Sequence, residues 1–156
     1  MYDSILAQTY KNWEWILWLN NDIKRDLLPK EFEEDDRVII YETDNTSKNV
    51  GYHKHHAFHK GTGDILVEVD SDDLIDPKCL QLLNDAYQDP EVGFAYSDAA
   101  IWDDTFVPYN VDHGWTHYPY KFRDKLLTTM RTWEPSSHSL GFIWYAPDHV
   151  RSWRKD

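Results

Sequence analysis

The chain has 156 residues, 41% of them apolar and 15% aromatic, which suffices for one folded domain with its own core. Its 28 acidic and 16 basic residues give a formal charge of −12, so its surface is unsuited to nucleic acid, whose phosphates require a basic footprint. Cys79 is the single cysteine, which rules out an intrachain disulfide. No apolar run approaches about 20 residues, the length of a membrane span. The first residues lack the basic segment of a signal peptide, and we expect a cytoplasmic protein.

Apolar runs and turn residues predict alternating helices and strands over the first hundred residues. The predicted elements, in chain order, are a helix over 3–9, a strand over 13–19, a helix over 23–30, a strand over 37–43, a helix over 48–60, a strand over 64–69, a helix from Pro77 to about Tyr87 and a strand over 92–96. This alternation predicts an α/β domain with a mostly parallel central sheet and helices on both faces.

The periodicity is lost after Asp98. Loops or short hairpins are predicted over 99–119, a helix over 121–130, a strand over 140–145 and a last helix that starts at Ala146-Pro147-Asp148 and is cut by the end of the sequence. Because the chain contains no repeat and no linker, we expect residues 1–156 to form a single domain, truncated at its end, with an irregular segment at about 99–139.

Three carboxylates lie within the four residues Asp70-Ser71-Asp72-Asp73, directly after a predicted strand. Ligands of open parallel sheets bind beyond the carboxyl ends of the strands. Clustered carboxylates repel one another unless a cation neutralises them, and their hard oxygen atoms suit Mg²⁺ or Mn²⁺, which complete their shells with water and substrate phosphates. The residues alone leave two interpretations open: a site for a divalent cation and a phosphate ligand, or a solvated acidic turn that caps the helix at Pro77.

Several motifs, taken together and in this order, resemble the family 2 glycosyltransferases of GT-A (Rossmann-like) fold. The matching segments are Ser4-Ile5-Leu6-Ala7-Gln8-Thr9-Tyr10-Lys11-Asn12-Trp13-Glu14, Asn49-Val50-Gly51 with Lys54 and Ala57, Gly63-Asp64-Ile65-Leu66-Val67, Asp70-Ser71-Asp72-Asp73 and Tyr96-Ser97-Asp98. The resemblance covers roughly residues 3–105. Relative to that family, the opening strand is absent, and so is the acidic motif near the C-terminus that usually supplies the catalytic base.

The resemblance implies roles for individual residues. Asp72 is the expected principal metal ligand, Asp70 approaches the metal or the ribose, and Asp73 assists through the metal's waters or the donor sugar. Further expected contacts are Lys54 with the diphosphate, Asn20 and Asp22 with the uracil and ribose, and Asp98 with the acceptor or donor sugar. Asp103 and Asp104 are the leading substitutes for the missing base, unless they form a solvated turn. His138 is either a third metal ligand or an ordinary loop histidine.

Two other groups of residues have simpler explanations. His53, His55, His56 and His59 share one predicted helix, but no acidic residue completes a zinc-binding H-E-x-x-H pattern there, and we expect no zinc site. The aromatic residues Trp102, Trp115, Tyr118, Tyr120 and Trp133 either form a platform for an acceptor sugar or cover the sheet.

The resulting expectation is a metal-dependent enzyme that uses Mn²⁺ or Mg²⁺ and transfers a hexose from a UDP-sugar, similar to UDP-glucose, to an unknown carbohydrate or other hydroxyl acceptor. We expect inverting transfer, with slow hydrolysis of the donor as a secondary activity. One alternative is a non-catalytic remnant that binds nucleotide-sugars or carbohydrates. Another is a nucleotidyltransferase or nucleotide-sugar hydrolase, although the chain has no phosphate loop of P-loop type.

Overall fold

The computed structural model describes residues 1–20, 23–44, 49–101, 117–122, 124–130 and 150–155. The helices are α1 (Tyr2–Leu6), α2 (Glu31–Glu34), α3 (Val50–Phe58) and α4 (Cys79–Ala86), with a 3-10 turn at Arg25–Leu27. The strands are β1 (Trp15–Leu19), β2 (Val38–Glu42), β3 (Ile65–Glu68), β4 (Phe94–Tyr96), β5 (Ala99–Ile101), β6 (His117–Phe122), β7 (Lys125–Met130) and β8 (Arg151–Arg154). Helices and strands alternate up to β4, which confirms the predicted α/β class.

The chain divides into two compact units. The first unit comprises residues 1–10 and 67–154, and the second comprises residues 11–66 and 155–156.

The second unit contains a pair of parallel strands with a helix packed on it. β1 and β2 pair in parallel from Trp15 opposite Val38 to Leu19 opposite Glu42. On α3, the buried His53 accepts a hydrogen bond at its Nδ1 from the Trp18 indole, at 3.2 Å. The apolar runs predicted as strands therefore form this pair, as is typical of parallel strands covered by helices.

The first unit contains antiparallel pairs. One sheet has the strand order β3-β8-β4 and another has the order β5-β7-β6. Of β3, Val67 and Glu68 belong to this unit. β4 pairs with β8, and β7 pairs with both β5 and β6, in each case antiparallel. The buried apolar side chains of this unit are Ile5, Ile75, Tyr87, Phe122, Leu127 and Val150. The predicted mostly parallel central sheet is therefore wrong for the described residues, because their sheets are small and mostly antiparallel.

The predicted helix over 121–130 is wrong, because residues 117–122 and 125–130 form the antiparallel strands β6 and β7. Period-two alternation places Tyr118, Tyr120 and Phe122 on one face of β6, and Thr128 and Thr129 add β-branched residues to β7.

The predicted helix at the C-terminal end is wrong over Arg151–Arg154, which form β8. This short strand pairs with β4. The hydroxyls of the fully buried Ser152 and the buried Tyr87 are hydrogen-bonded to each other at 3.0 Å. Residues 146–149 and the strand predicted over 140–145 lie outside the described residues.

The helix predicted over 23–30 is wrong apart from the 3-10 turn at Arg25–Leu27, and α2 begins only at Glu31. Leu28 has extended backbone angles, φ −81° and ψ 149°, and separates the 3-10 turn from α2. Pro29 follows it, and the residue before a proline avoids the helical region because of steric contact with the proline ring. Among the helices of the described residues, none has the length and apolar character to cross a membrane.

Candidate functional site

The acidic segment forms a turn at the end of β3. After Val69, the backbone N–H of Asp73 donates to the carbonyl oxygen of Asp70 at 3.1 Å. The side chains of Asp72 and Asp73 are exposed, and that of Asp70 is half-buried. The strand therefore ends in a hydrogen-bonded turn that presents carboxylates to solvent.

An ion pair anchors the strand just before this turn. The Arg151 guanidinium contacts the Glu68 carboxylate with an Nη2–Oε1 distance of 3.0 Å. Glu68 is buried, and this partner stabilises its charge. The last residue of β3 is thus held to β8.

The first helix anchors the segment just after the turn. The fully buried Gln8 side chain donates to the carbonyl oxygen of Asp76 at 2.7 Å and accepts from the Leu80 N–H at 3.0 Å. The Thr9 N–H donates to the carbonyl oxygen of Pro77 at 2.8 Å, and the Ile75 N–H donates to the Ser4 hydroxyl at 3.4 Å. This role of Gln8 was not predicted from the sequence.

The β6 strand contributes two tyrosines that contact carboxylates. The Tyr118 hydroxyl donates to Asp98 Oδ2 at 2.8 Å, and the Tyr120 hydroxyl donates to Asp76 Oδ2. The hydrogen bond with Asp76, together with burial and the negative charge of Asp76, raises the pKa of Tyr120 to about 12. Asp98 lies between β4 and β5, so a carboxylate predicted to face a sugar is engaged by a neighbouring hydroxyl.

In the second unit, Glu14 holds the loop before β3. Its carboxylate accepts hydrogen bonds from the Thr62 N–H, from the Thr62 hydroxyl at 3.0 Å and from the Gly63 N–H at 3.1 Å. Burial raises the pKa of Glu14, but these hydrogen bonds and the charge of Lys155 outweigh it and bring the pKa below its ordinary value. The Lys155 ammonium also donates to the carbonyl oxygen of Gly61 at 2.6 Å.

The other predicted donor contacts belong partly to this second unit. Asn20 follows β1 and Lys54 lies on α3, and both side chains are half-buried. The remaining predicted site residues lie outside the described residues: Asp22, Asp103, Asp104 and His138. The aromatic residues Trp102, Trp115 and Trp133 also lie outside them.

The donor atoms of the acidic turn fit a hard divalent cation. Within the described ranges, no three His, Cys, Asp or Glu side chains are already grouped to hold an ion. Mg²⁺ and similar ions, however, are usually bound by one or two carboxylates together with substrate phosphates and water rather than by a cage of protein atoms. Exposed carboxylates on one turn match that chemistry.

Comparison with known proteins establishes the family. Residues 1–144 match the model of glycosyl transferase family 2, and the chain belongs to this family. The resemblance drawn from the motifs is thereby confirmed, and the family implies the GT-A fold. The glucosyl-dolichyl phosphate glucuronosyltransferase of Haloferax volcanii is 26% identical over 102 residues, which cover 65% of this chain and 32% of that protein. The chain thus matches about a third of the length of this relative. No solved structure matches the chain.

Proposed function

We propose that the chain is the nucleotide-sugar-binding core of a metal-dependent glycosyltransferase that transfers a hexose from a UDP-sugar to a hydroxyl acceptor. The observation that carries this proposal is the acidic turn, whose exposed carboxylates follow a strand in a chain of glycosyl transferase family 2. Anchors on both sides of the turn support a binding role, since a site must hold its ligands in a fixed geometry.

In this proposal Asp72 and Asp70 hold Mn²⁺ or Mg²⁺ through carboxylate oxygens, and Asp73 acts through the metal's waters or the donor sugar. The bound cation supplies positive charge near the diphosphate, where negative charge develops as the sugar leaves. Asp72 suits this role because its side chain is exposed and makes no hydrogen bond or ion pair within the described part of the chain.

The second unit supports a separate proposal for the nucleotide. β1 and β2 are parallel, and Asn20 directly follows the carboxyl end of β1. Ligands of parallel sheets bind at such ends. We assign Asn20 and Asp22 to the uracil and ribose, and Lys54 to the diphosphate.

The acceptor side needs a carboxylate that takes the proton of the attacking hydroxyl, which gives inversion in an in-line transfer. Asp98, Asp103 and Asp104 are the candidates, and His138 is kept as a candidate third metal ligand. The Haloferax volcanii relative is named for glucuronosyl transfer. UDP-glucuronate is therefore a donor to test beside UDP-glucose.

The test is calorimetric titration of UDP with Mn²⁺ present and again with a chelator, with GDP and ADP as competing nucleotides. We expect UDP to bind more tightly than both, and only with the metal. Asp72→Asn should weaken UDP binding by about tenfold to a hundredfold, the equivalent of one lost charge-assisted interaction of about 1.5–3 kcal/mol. Its melting temperature should stay near that of the wild type, because Asp72 is exposed.

Asp36→Asn is the matched control, since Asp36 is also exposed and the substitution changes the charge equally. It should bind UDP as the wild type does. Unchanged UDP affinity in Asp72→Asn, or equal binding with chelator, would contradict the metal-ligand assignment.

A non-catalytic remnant that binds nucleotide-sugars is the second candidate. It is favoured by the hydrogen bond from Tyr118 to Asp98, which engages a candidate base. Release of UDP from UDP-glucose or UDP-glucuronate, with and without sugar acceptors, distinguishes the two. Acceptor-dependent release supports the transferase, slow acceptor-independent release indicates donor hydrolysis, and metal-dependent binding without release supports the remnant.

A further inference from the structure

Gln8 is a polar residue in a fully buried position, with 0% of its surface exposed. Its side-chain nitrogen donates to the carbonyl oxygens of Ser4 at 2.9 Å and Asp76 at 2.7 Å. Its side-chain oxygen accepts from the Leu80 N–H at 3.0 Å. Both amide hydrogens and the amide oxygen therefore have partners, so that burying this side chain leaves no donor unpaired.

Two of these partners lie on either side of the start of α4. Leu80 belongs to the first turn of the helix, where backbone N–H groups have no partner within the helix itself. Gln8 supplies such a partner from the segment just after α1, 72 positions earlier in the chain. The same side chain fixes the Asp76 carbonyl, which precedes the helix. Gln8 thus caps α4 from outside and sets the path by which the chain enters it.

This entry path begins a few residues after the acidic turn. Asp73 and Asp76 are separated by Leu74 and Ile75, and Ile75 is buried with 3% exposure. Because this connection is short, a fixed Asp76 backbone limits how far the exposed carboxylates of the turn can move. The ion pair of Glu68 limits the other end in the same way.

We propose that Gln8 is a positioning residue for the acidic turn: it touches neither cation nor donor, and it fixes where the carboxylates of Asp72 and Asp73 stand by holding the entry into α4. This inference rests on the proposed function of the turn in binding a cation and a nucleotide diphosphate. It assigns to the segment that follows the first helix a role in ligand affinity as well as in folding.

The variant Gln8→Met tests the inference, because methionine has similar length but offers no hydrogen bonds to Asp76 or Leu80. Gln88→Met is the matched control: Gln88 lies in the same unit, is exposed, and donates to the carbonyl oxygen of Asn84 at 3.1 Å. Both variants are titrated with UDP in the presence of Mn²⁺, at a temperature where the circular dichroism of each matches the folded wild type.

A positioning role predicts that Gln8→Met binds UDP about tenfold more weakly, with an unchanged stoichiometry. This loss corresponds to about 1.4 kcal/mol. Gln88→Met should bind UDP as the wild type does. A merely structural role predicts the opposite, a lower stoichiometry with unchanged affinity of the folded fraction. That result would overturn the inference. If the wild type itself does not bind UDP, the proposed function fails, and this outcome is distinct from equal affinities of wild type and Gln8→Met.

Hydrogen exchange measured without ligand gives a second readout. In Gln8→Met, we expect faster amide exchange in peptides covering 70–80, with unchanged exchange in β4 and β8, because the loss is local. Exchange that rises equally throughout the first unit would contradict local positioning, whether or not UDP binds.

Gln8→Glu tests the same positioning role if Gln8→Met does not fold. A protonated carboxyl has one donor and an acceptor, and burial raises the pKa of a carboxyl group. Either form can accept from the Leu80 N–H, but only the protonated form can also donate to the Asp76 carbonyl. The ratio of variant to wild-type dissociation constants for UDP should fall towards one as the pH is lowered from neutral. A ratio that does not change with pH would contradict the hydrogen-bonding role.

Discussion

The ion pair between Glu68 and Arg151 gives the sharpest prediction about the stability of the first unit. It joins the last residue of β3 to the first residue of β8, directly before the acidic turn. Substituting Arg151→Met removes the positive charge and the 3.0 Å contact but keeps most of the apolar stem of the side chain. The resulting decrease in the free energy of unfolding therefore measures mainly the cost of leaving the charge of Glu68 buried.

The expected magnitude follows from the burial of the two side chains. Removing one partner of a buried ion pair costs about 3–5 kcal/mol, since the charge of the other partner stays buried after its counter-charge is lost. Glu68 has 10% of its side chain exposed and Arg151 has 30%. Water therefore reaches the pair from the arginine side, and we expect a loss near the lower limit, about 3 kcal/mol. At about 2–4 °C per kcal/mol, this lowers the melting temperature by about 6–12 °C.

Equilibrium unfolding in urea measures this loss, and Lys24→Met is the control. The ion pair of Lys24 with Asp44 has a similar distance of 2.9 Å, but its side chains are 43% and 98% exposed. Its removal should hardly change the free energy of unfolding. The double variant Glu68→Gln/Arg151→Met should be more stable than Arg151→Met alone, because no charge remains buried. Equal losses in Arg151→Met and Lys24→Met would refute the argument from burial.

Two further predictions concern pH. Tyr120 has a raised pKa in the folded protein, so its contribution to stability is complete below its ordinary pKa of 10.0 and is lost as the pH rises towards about 12. In a spectroscopic titration of phenolate, Tyr120→Phe should lack the late-titrating tyrosine that the wild type shows. Identical titration curves would contradict this. Glu14 has a lowered pKa, so its contribution to stability is complete above its ordinary pKa of 4.5 and is lost as the pH falls through the lowered value. Glu14→Gln should therefore be less stable than the wild type near neutral pH, and this difference in stability should shrink in acid. Thermal unfolding at several pH values measures it.

Much of the secondary structure up to β4 could be predicted, because local chemistry determines it. The apolar run before Asn20 forms β1, and the run before Asp70 forms β3. α3 begins at Val50, close to the predicted start at 48, and Asn49 caps it by accepting a hydrogen bond from the Tyr52 N–H at 3.2 Å. These signals lie within a few residues of the element they define, so a single sequence contains them.

The strand partners could not be predicted, because they depend on pairing between distant segments. β8 has only four residues, Arg151–Arg154, and no alternation that distinguishes a strand from a helix. Its strand conformation follows from pairing with β4, more than 50 positions earlier in the chain. The helix predicted over 121–130 is wrong for a related reason. The adjacent leucines and threonines of β7 are compatible with both a helix and a strand, and cross-strand pairing with β6 decides between them.

The candidate site was predicted through its exposed charges, whereas the residues that support it are buried and polar. Sequence reasoning found Asp72, because a carboxylate cluster after a strand is a local pattern. It assigned no role to Gln8 or Glu68, since their partners lie 68 to 83 positions away in the chain. The available signal was the pair Ser4 and Gln8, two polar residues four positions apart, one in the first helix and one just after it.

The motif by which the first residues resemble family 2 glycosyltransferases therefore acts largely through backbone hydrogen bonds. In the first unit, Gln8 and Thr9 hold the segment after the acidic turn. In the second unit, Glu14 holds the loop that precedes β3. An exposed carboxylate can hold a ligand in a fixed geometry only if the backbone that carries it is fixed on both sides. For this reason we expect a substitution at a buried polar position to weaken ligand binding by an amount near the lower limit expected for an exposed charge. The comparison of Gln8→Met with Asp72→Asn measures the two effects side by side.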